Sequence, residues 1–411
     1  MRIGIFGGTF DPMHTGHLAM LKAASETGFI DKIIVVPNAY PPHKSLEHIS
    51  MATYRYEMTR IALNETRFTV PVVLSDIELF RKGKSYTLDT VMELKSAHSS
   101  KDTFVLIYGS DVIYDIEKWY EPRQIMKECE LLFAERPGFG GERFTEKISE
   151  ITKRFDAKIT LFQADYIDIS STELRELIQN DPQKADSFLL PALKDWIEKN
   201  GIYKNQKDLA HISPDNLIRL QGYECELQKT ITRDRLIHSI NTMREAVKLA
   251  VLFNGNVQKA AIAGLLHDCA KSLVKKSQDS IVKKEGSGRS TDYSDILHAY
   301  QGRQVAMDQF HIDDPDILNA IYYHSTSRAD SSLLEKIIYV ADKIEPGRNF
   351  PRIDQIRRIT YQNLDDGLLA CLTDIMKHLE RMNKTLHPDT VSAYQSIIKK
   401  KENNSTKGGK K

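Results

Sequence analysis

At 411 residues the chain is too long for one ordinary core, so two or three domains are expected. Its 41% hydrophobic and 27% charged content is globular, and a net charge of +1 argues against a generic nucleic-acid or membrane binder. Small phosphorylated substrates stay compatible, because a few local basic groups suffice for them. Cys129, Cys225, Cys269 and Cys371 form no C-x-x-C pair, which fits a reduced, cytoplasmic compartment. No charged leader precedes an apolar run and no apolar stretch approaches ~18 residues, so neither signal peptide nor membrane span is expected.

Arg2 to Phe6 reads as a short buried strand, because Ile3, Ile5 and Phe6 favour β structure and Gly7 ends the run. Gly7 and Gly8 permit a tight turn close to a ligand. Asp11-Pro12 marks a turn, and a helix begins near Thr15 with Leu18, Met20, Leu21 and Ala24 on its apolar side. A glycine turn leading from strand into helix aims unpaired N–H groups at one spot, which suits phosphate. His14 and His17 sit three apart on the first helical turn, so both imidazoles can reach one anion.

His14-Thr-Gly-His17 resembles the H-x-G-H signature of the nucleotidyltransferase superfamily, and the string from Gly7 to His17 resembles nicotinate-nucleotide adenylyltransferases. The resemblance implies that Gly7, Gly8, Thr9, Phe10 and Asp11 bind nucleotide while His14 and His17 act in catalysis.

Lys32 to Val36 is a second strand, and the loop Asn38 to Lys44 is stiffened by Pro41 and Pro42. By resemblance to the family's P-P-H-K segment, Lys44 is a catalytic point charge on a triphosphate and Asn38 a substrate contact. Met51 to Leu63 reads as a helix, Thr69 to Leu74 as a strand, and Tyr86 to Leu94 as the start of another helix. Ser85-Tyr-Thr-Leu-Asp-Thr90 resembles the segment that recognises the nicotinate ring, with Thr87 supplying contacts. Phe104 to Tyr108 is a buried strand running into Gly109-Ser-Asp111, where ligands lie in open parallel sheets. Trp119 lies eight residues after Asp111, as in the family pattern G-x-D-x(7)-W, and is expected to stack on the pyridine ring.

Leu131 to Ala134 is another strand with Arg136 at its exit, and Ile159 to Phe162 is the last. Ser170 or Ser171 then caps a helix. Ile169-Ser-Ser-Thr-Glu-Leu-Arg175 matches the family's second phosphate motif, implying roles for Ser171, Thr172 and a bidentate Arg175. Strands alternating with helices predict an α/β doubly wound parallel sheet of Rossmann-like type. Trp196 to Tyr203 is expected to be a helix stopping at Asn200-Gly201. The resemblance covers residues 1–204. It implies adenylyl transfer from ATP, accompanied by Mg²⁺, to nicotinate mononucleotide.

Residues 205–214 are polar and aperiodic and read as a linker. Beyond them, segments at 217–227, 235–253, 258–273, 294–310, 316–324, 334–342 and 364–382 read as helices, so an all-α domain over 215–400 is expected. His238, His267, Asp268, His298, His324 and Asp342 each follow apolar neighbours. Each should therefore sit at the inner edge of a helix, and their convergence is the layout of a two-metal site. Six unpaired buried ionisable groups would otherwise be too costly.

That order resembles the HD superfamily of metal phosphohydrolases. Tyr323-His-Ser-Thr326, the run from Leu334 to Arg348, and His387-Pro-Asp-Thr390 resemble its YqeK branch, which hydrolyses diadenosine tetraphosphate symmetrically. The resemblance implies two metals, iron or manganese, on those six residues, a catalytic Asp268, and substrate contacts from Thr326 and Arg348. Lys271 is a candidate phosphate contact, and Cys269 reads as a core residue. Ser327 departs from the glycine usual at its place. The tail, 401–411, reads as disordered. No nucleic-acid or membrane partner is expected, and a homo-oligomer is compatible with the sequence. The alternatives are another nucleotidyltransferase N-terminally, and C-terminally a different nucleotide hydrolase or a regulatory HD module.

Overall fold

A computed structural model of the chain describes residues 1–135, 142–204, 206–272 and 296–408. The chain divides into two compact units, Met1–Asn205 and Gln206–Lys411.

The first unit holds a six-stranded sheet: β1 (Arg2–Gly8), β2 (Lys32–Pro37), β3 (Val72–Leu74), β4 (Thr103–Gly109), β5 (Cys129–Glu135) and β6 (Ile159–Gln163). All pairings are parallel, in the order β3-β2-β1-β4-β5-β6. Such strands are covered on both faces, so Ile3, Ile5, Leu106 and Phe133 lie together in one core. Helices α1 (Thr15–Glu26), α2 (Ala52–Asn64), α3 (Thr87–Ser96), α4 (Pro122–Glu128), α5 (Glu142–Phe155), α6 (Ser171–Asn180), α7 (Pro182–Ala185) and α8 (Pro191–Lys199) accompany it. The chain winds outward from β1 to β3, then returns to β4 on the other side of β1. The switch point lies between β1 and β4, and a ligand crevice forms beyond the carboxyl ends of such strands.

Two N-terminal boundaries differ from expectation. β3 begins at Val72 because Pro71 has no N–H to donate to a ladder, while the N–H of Thr69 turns to Ser25 Oγ at 3.4 Å. The last helix of the unit is Pro191–Lys199 rather than 196–203. Pro191 takes its first turn, and Gly201 at φ +58° ends it as Ile202 N–H donates to Ile197 O at 3.0 Å.

The described part of the second unit is helical: α9 (Pro214–Thr230), α10 (Arg233–Leu252), α11 (Val257–Leu266), α12 (Leu297–Phe310), α13 (Pro315–Tyr323), α14 (Leu333–Ile344), α15 (Ile353–Gln362), α16 (Leu364–Arg381) and α17 (Pro388–Gly408). Residues 206–214 do not behave as a free linker. Gln206–His211 forms a short 3₁₀ helix, and the Gln258 amide donates to His211 O at 3.0 Å while accepting Ser213 N–H at 3.0 Å. Residues 401–408, read as disordered, continue α17. No proline or glycine interrupts that stretch before Gly408, and Lys400 and Lys401 pair with Asp330 and Asp366. Among the described residues no helix is long and apolar enough to cross a membrane.

Helix α10 packs on α11 at very short range around Gly264, where an added Cβ would come within 2.7 Å of Met243 Cα. That contact is backbone and cannot rotate away. Gly264→Ala is therefore expected to cost about 1–3 kcal/mol in urea unfolding. A change below about 0.5 kcal/mol, the range of a surface substitution, would show that the two helices separate freely.

Candidate active sites

In the first unit, β1 delivers the chain into the loop Gly8–Met13, and His14 stands at the N-cap of α1. The His14 and His17 rings lie 3.7 Å apart between centroids, one helical turn bringing them face to face. The His14 backbone N–H donates to His17 Nδ1 at 3.3 Å. His17 Nδ1 is therefore an acceptor, and the proton of the neutral ring sits on Nε2, ready to donate. His14 is buried, its Nδ1 has no hydrogen-bond partner, and burial pushes its pKa down to about 4. In the free protein His14 is thus a neutral hydrogen-bonding group and not a charge. Gly16 between them is needed for space, since a Cβ there would approach His14 Nδ1 to 3.1 Å.

The cations come from elsewhere. Lys44 stands at the rim of a cavity of about 190 Å³ that is also lined by Gly7, Thr9, Asn38, Thr87 and Trp119. Burial of its amine, and then Arg175, pull the Lys44 pKa below its ordinary value, so the two cations share one neighbourhood. Trp119 meets Tyr108 edge to face at 5.3 Å, leaving an aromatic wall in the cavity. Of the expected contacts, Gly7, Thr9, Asn38, Lys44, Thr87 and Trp119 converge here, while Gly109 ends β4 and Asp111 follows it, both outside this lining. Arg136 lies outside the described residues.

The other expected site residues Gly8, Phe10, Asp11, Ser171, Thr172 and Arg175 make packing and hydrogen-bond contacts around the loop. The Phe10 ring, stacked on Phe6 at 5.4 Å, lies 2.6 Å from where a Gly8 Cβ would be, so Gly8 makes room for packing. Asp11 is buried with both oxygens occupied: Tyr203 Oη donates to Oδ1 at 2.6 Å and Ser50 N–H to Oδ2 at 2.9 Å. Ser170, not Ser171, caps α6 by accepting Glu173 N–H at 3.1 Å. Ser171 Oγ donates to Pro12 O at 3.0 Å, and Arg175 donates to Asp11 O at 2.8 Å and to Thr172 Oγ1 at 3.3 Å.

Two further residues escaped the sequence reading. Buried Arg55 donates to Ser50 O at 2.9 Å, Thr9 O at 3.0 Å, Ala39 O at 2.8 Å and also to Asn38 O, tying three loops together. Buried Glu78 accepts from Ala39 N–H at 3.2 Å, Asn38 Nδ2 at 3.2 Å and Thr90 Oγ1 at 2.7 Å.

In the second unit, the six predicted ligands come together at the ends of α10, α11, α12, α13 and α14. His238, His267 and Asp268 form one group able to hold a metal ion, and Asp268, His298 and His324 form another. Asp268 belongs to both, with Oδ1 3.3 Å from His298 Nε2 and 3.4 Å from His324 Nε2. Asp342 Oδ1 lies 3.0 Å from His238 Nε2 and 3.8 Å from His267 Nε2, which adds a carboxylate to the first group.

The donor chemistry fits cations. His267 Nδ1 contacts Gly264 O at 2.8 Å and His324 Nδ1 contacts Ile321 O at 2.7 Å, so each Nδ1 carries the proton and each Nε2 turns a lone pair inward. Burial pushes the His267 pKa down to about 3, keeping that ring neutral. Nε2 atoms face each other at 3.2 Å in both the His238–His267 and His298–His324 pairs, an arrangement a shared cation would relieve. Imidazole and carboxylate donors suit a first-row divalent ion.

Glu345, missed in the sequence, contacts His238 Nδ1 at 3.2 Å and orients that ring. Arg348 pairs with Asp342 at 2.6 Å and Lys271 with Asp268 at 3.0 Å, so both cations flank the cluster. Thr326 is buried and its Oγ1 has no hydrogen-bond partner. Cys269 is buried, its thiol pushed up by burial and its Sγ 3.5 Å from Gly302 O, away from the ligand role.

The His14 environment gives a pH dependence with a definite sign. A pKa lowered from 6.5 to about 4 means that the unfolded chain binds the proton more readily. Stability should fall as pH drops through that window, by on the order of 3 kcal/mol once both states are protonated. NMR of labelled histidines should find His14 titrating near the lower value. Titration at 6.5 would mean the ring is open to water.

Comparison with known proteins finds a match for each unit. Residues 5–177 match the Cytidylyltransferase-like family model and residues 235–347 the HD domain model. A "Probable nicotinate-nucleotide adenylyltransferase" of Thermoanaerobacter sp. is 34% identical over 209 residues, covering 51% of this chain and 97% of the relative. A protein of the same description from Moorella thermoacetica is 35% identical, covering 50% of this chain and 94% of the relative. A crystal structure described as a predicted HD superfamily hydrolase involved in NAD metabolism, from Clostridium acetobutylicum, is 39% identical. It covers 42% of this chain and 94% of its own, with a TM-score of 0.40. Through its first unit the chain belongs to the nicotinate-nucleotide adenylyltransferase family, and it is a fusion whose second unit carries an HD domain.

Proposed function

We propose that the chain is a bifunctional enzyme. Its first unit transfers the adenylyl group of ATP to nicotinate mononucleotide, giving the deamido-dinucleotide and pyrophosphate. Its second hydrolyses diadenosine tetraphosphate symmetrically to two ADP.

The observation that carries the first reading is the histidine pair on the chain that leaves Gly7 and Thr9, which line a cavity together with Lys44. The nucleotide phosphate attacks the α-phosphorus of ATP in line, so the protein has only to position groups and balance charge. His17 donates from Nε2, and His14 supplies a second neutral imidazole. Lys44 and Arg175 supply the positive charge for the leaving pyrophosphate. ATP brings its Mg²⁺ with it. The aromatic wall at Trp119, with Thr87, suits a flat pyridine ring. The names of the relatives support the same substrates. Phosphopantetheine, a competing acceptor, has no flat ring for that wall.

The second reading is carried by Asp268, shared between two donor groups. His238, His267, Asp268 and Asp342 would hold one ion, and Asp268, His298 and His324 the other. Bound there, two divalent ions, iron or manganese, supply Lewis acidity toward water and phosphate. Asp268 fixes the spacing between the two groups, Glu345 orients His238, and Lys271 and Arg348, which flank the cluster, would meet phosphate oxygens. With divalent ions bound, the site would carry the positive charge that a four-phosphate chain capped by adenosines needs, which a neutral substrate does not.

For the first unit, the full chain with ATP, Mg²⁺ and nicotinate mononucleotide should release pyrophosphate and form the dinucleotide. Lys44→Ala should lower kcat/KM by about 10²–10³-fold, as expected for one lost charge on the leaving group. Formation of a product only with phosphopantetheine would overturn the acceptor assignment.

For the second unit, Asp268→Asn should reduce metal content from two ions per chain toward none, because one residue serves both groups. With diadenosine tetraphosphate and ferrous iron, the wild-type chain should yield ADP alone and the variant none. ATP plus AMP would refute symmetric cleavage. No turnover by a metal-loaded chain would favour a regulatory module.

A further inference from the structure

We infer that Tyr203 is a positioning residue for the adenylyl-transfer site, acting through the buried carboxylate of Asp11. The inference rests on the function proposed above for the first unit.

Tyr203 follows α8 at the C-terminal end of the first unit, far from the opening motif in sequence. Its side chain is buried at 3% exposure, and its hydroxyl lies 2.6 Å from Asp11 Oδ1 and 3.4 Å from Met58 Sδ. Its backbone is at φ +68°, a left-handed conformation that a bulky side chain rarely adopts. The Gln179 amide holds that conformation by donating to Tyr203 O at 2.7 Å. The phenol is therefore delivered to Asp11 at a backbone cost.

Asp11 is where several distant segments meet. Its second oxygen takes Ser50 N–H at 2.9 Å, and the Arg175 guanidinium stands 3.9 Å from that oxygen while donating to the Asp11 carbonyl at 2.8 Å. His14 follows three residues later. With the phenol removed, Oδ1 is buried without its donor, and its charge is left to Ser50 and Arg175. The guanidinium is then drawn toward Asp11 and away from phosphate, while the loop ahead of His14 loses one of its anchors. The cavity wall at Thr87 and Trp119 is made by other elements and is not disturbed.

The test is Tyr203→Phe in the full chain, which deletes one oxygen. The expected result is a kcat per titrated active site lower by about 10–100-fold, as for a misplaced catalytic group. KM for nicotinate mononucleotide should stay within about twofold, as binding at the undisturbed wall is retained. In an Asp11→Asn background the same substitution should cost less than about twofold, because the partner it acts through is already neutral. A purely structural role would lower the melting temperature and the number of titrated sites and leave kcat per site unchanged. Unchanged kcat per site, or losses that multiply in the double variant, would overturn the inference alone. A wild-type chain that forms no dinucleotide would overturn the proposed function itself, and the inference with it.

Discussion

The loop between β1 and α1 must hold two imidazoles in place, yet its own short-range contacts cannot fix it. The Asp11 carboxylate solves this by accepting from Ser50 and Tyr203, while the backbone around it accepts from Arg175 and Ser171. These bonds close loops of 39, 192, 164 and 159 residues. Loop closure costs entropy only logarithmically in length, so such links become affordable once the sheet has gathered the segments. Arg55 adds the same service from below, binding the carbonyls of Thr9, Asn38 and Ala39. The geometry at His14 is a property of the whole first unit.

Both candidate sites are built on imidazole, and in each the backbone decides what the ring nitrogens face. In the second unit, backbone carbonyls take the Nδ1–H of His267 and His324 and leave Nε2 pointing at the other donors. In the first, a backbone N–H takes the His17 Nδ1 lone pair and leaves a donor. The same side chain therefore presents a lone pair from Nε2 in one unit and an N–H from Nε2 in the other. The difference is set by one backbone group, because a neutral ring has only one proton to place.

The strands and the inward placement of the six candidate ligands were legible in the sequence because each is a local signal. Buried parallel strands are apolar runs, and a histidine following apolar neighbours sits at the inner edge of its helix. What escaped was non-local. Arg55, Glu78 and Glu345 carry no local signal, since their partners lie in segments that only the fold brings near. Within the opening motif and the segments after it, Gly8, Phe10 and Asp11 pack and tie the loop, whereas Lys44 and Trp119 line the cavity. The polar stretch at 206–214 looked like a linker because nothing in it reveals Gln258, the side chain that orders it.

Ser327 shows how a departure from a pattern can be read physically. It follows the Tyr323-to-Thr326 string and stands where glycine is usual by resemblance, and its φ is +59°. Glycine adopts that conformation at no steric cost, whereas a residue with a Cβ pays on the order of 1–2 kcal/mol. The serine is compensated locally: its N–H donates to Tyr323 O at 2.8 Å and its hydroxyl meets Ser331 Oγ at 3.1 Å, which in turn donates to Arg328 O at 2.6 Å. Thr326, immediately before it, has its carbonyl held by Thr390 Oγ1 at 2.9 Å and its own hydroxyl left without a hydrogen-bond partner. The substitution thus exchanges the backbone freedom of glycine for a side-chain bond, and the turn is kept at the position that carries the orphaned hydroxyl beside His324.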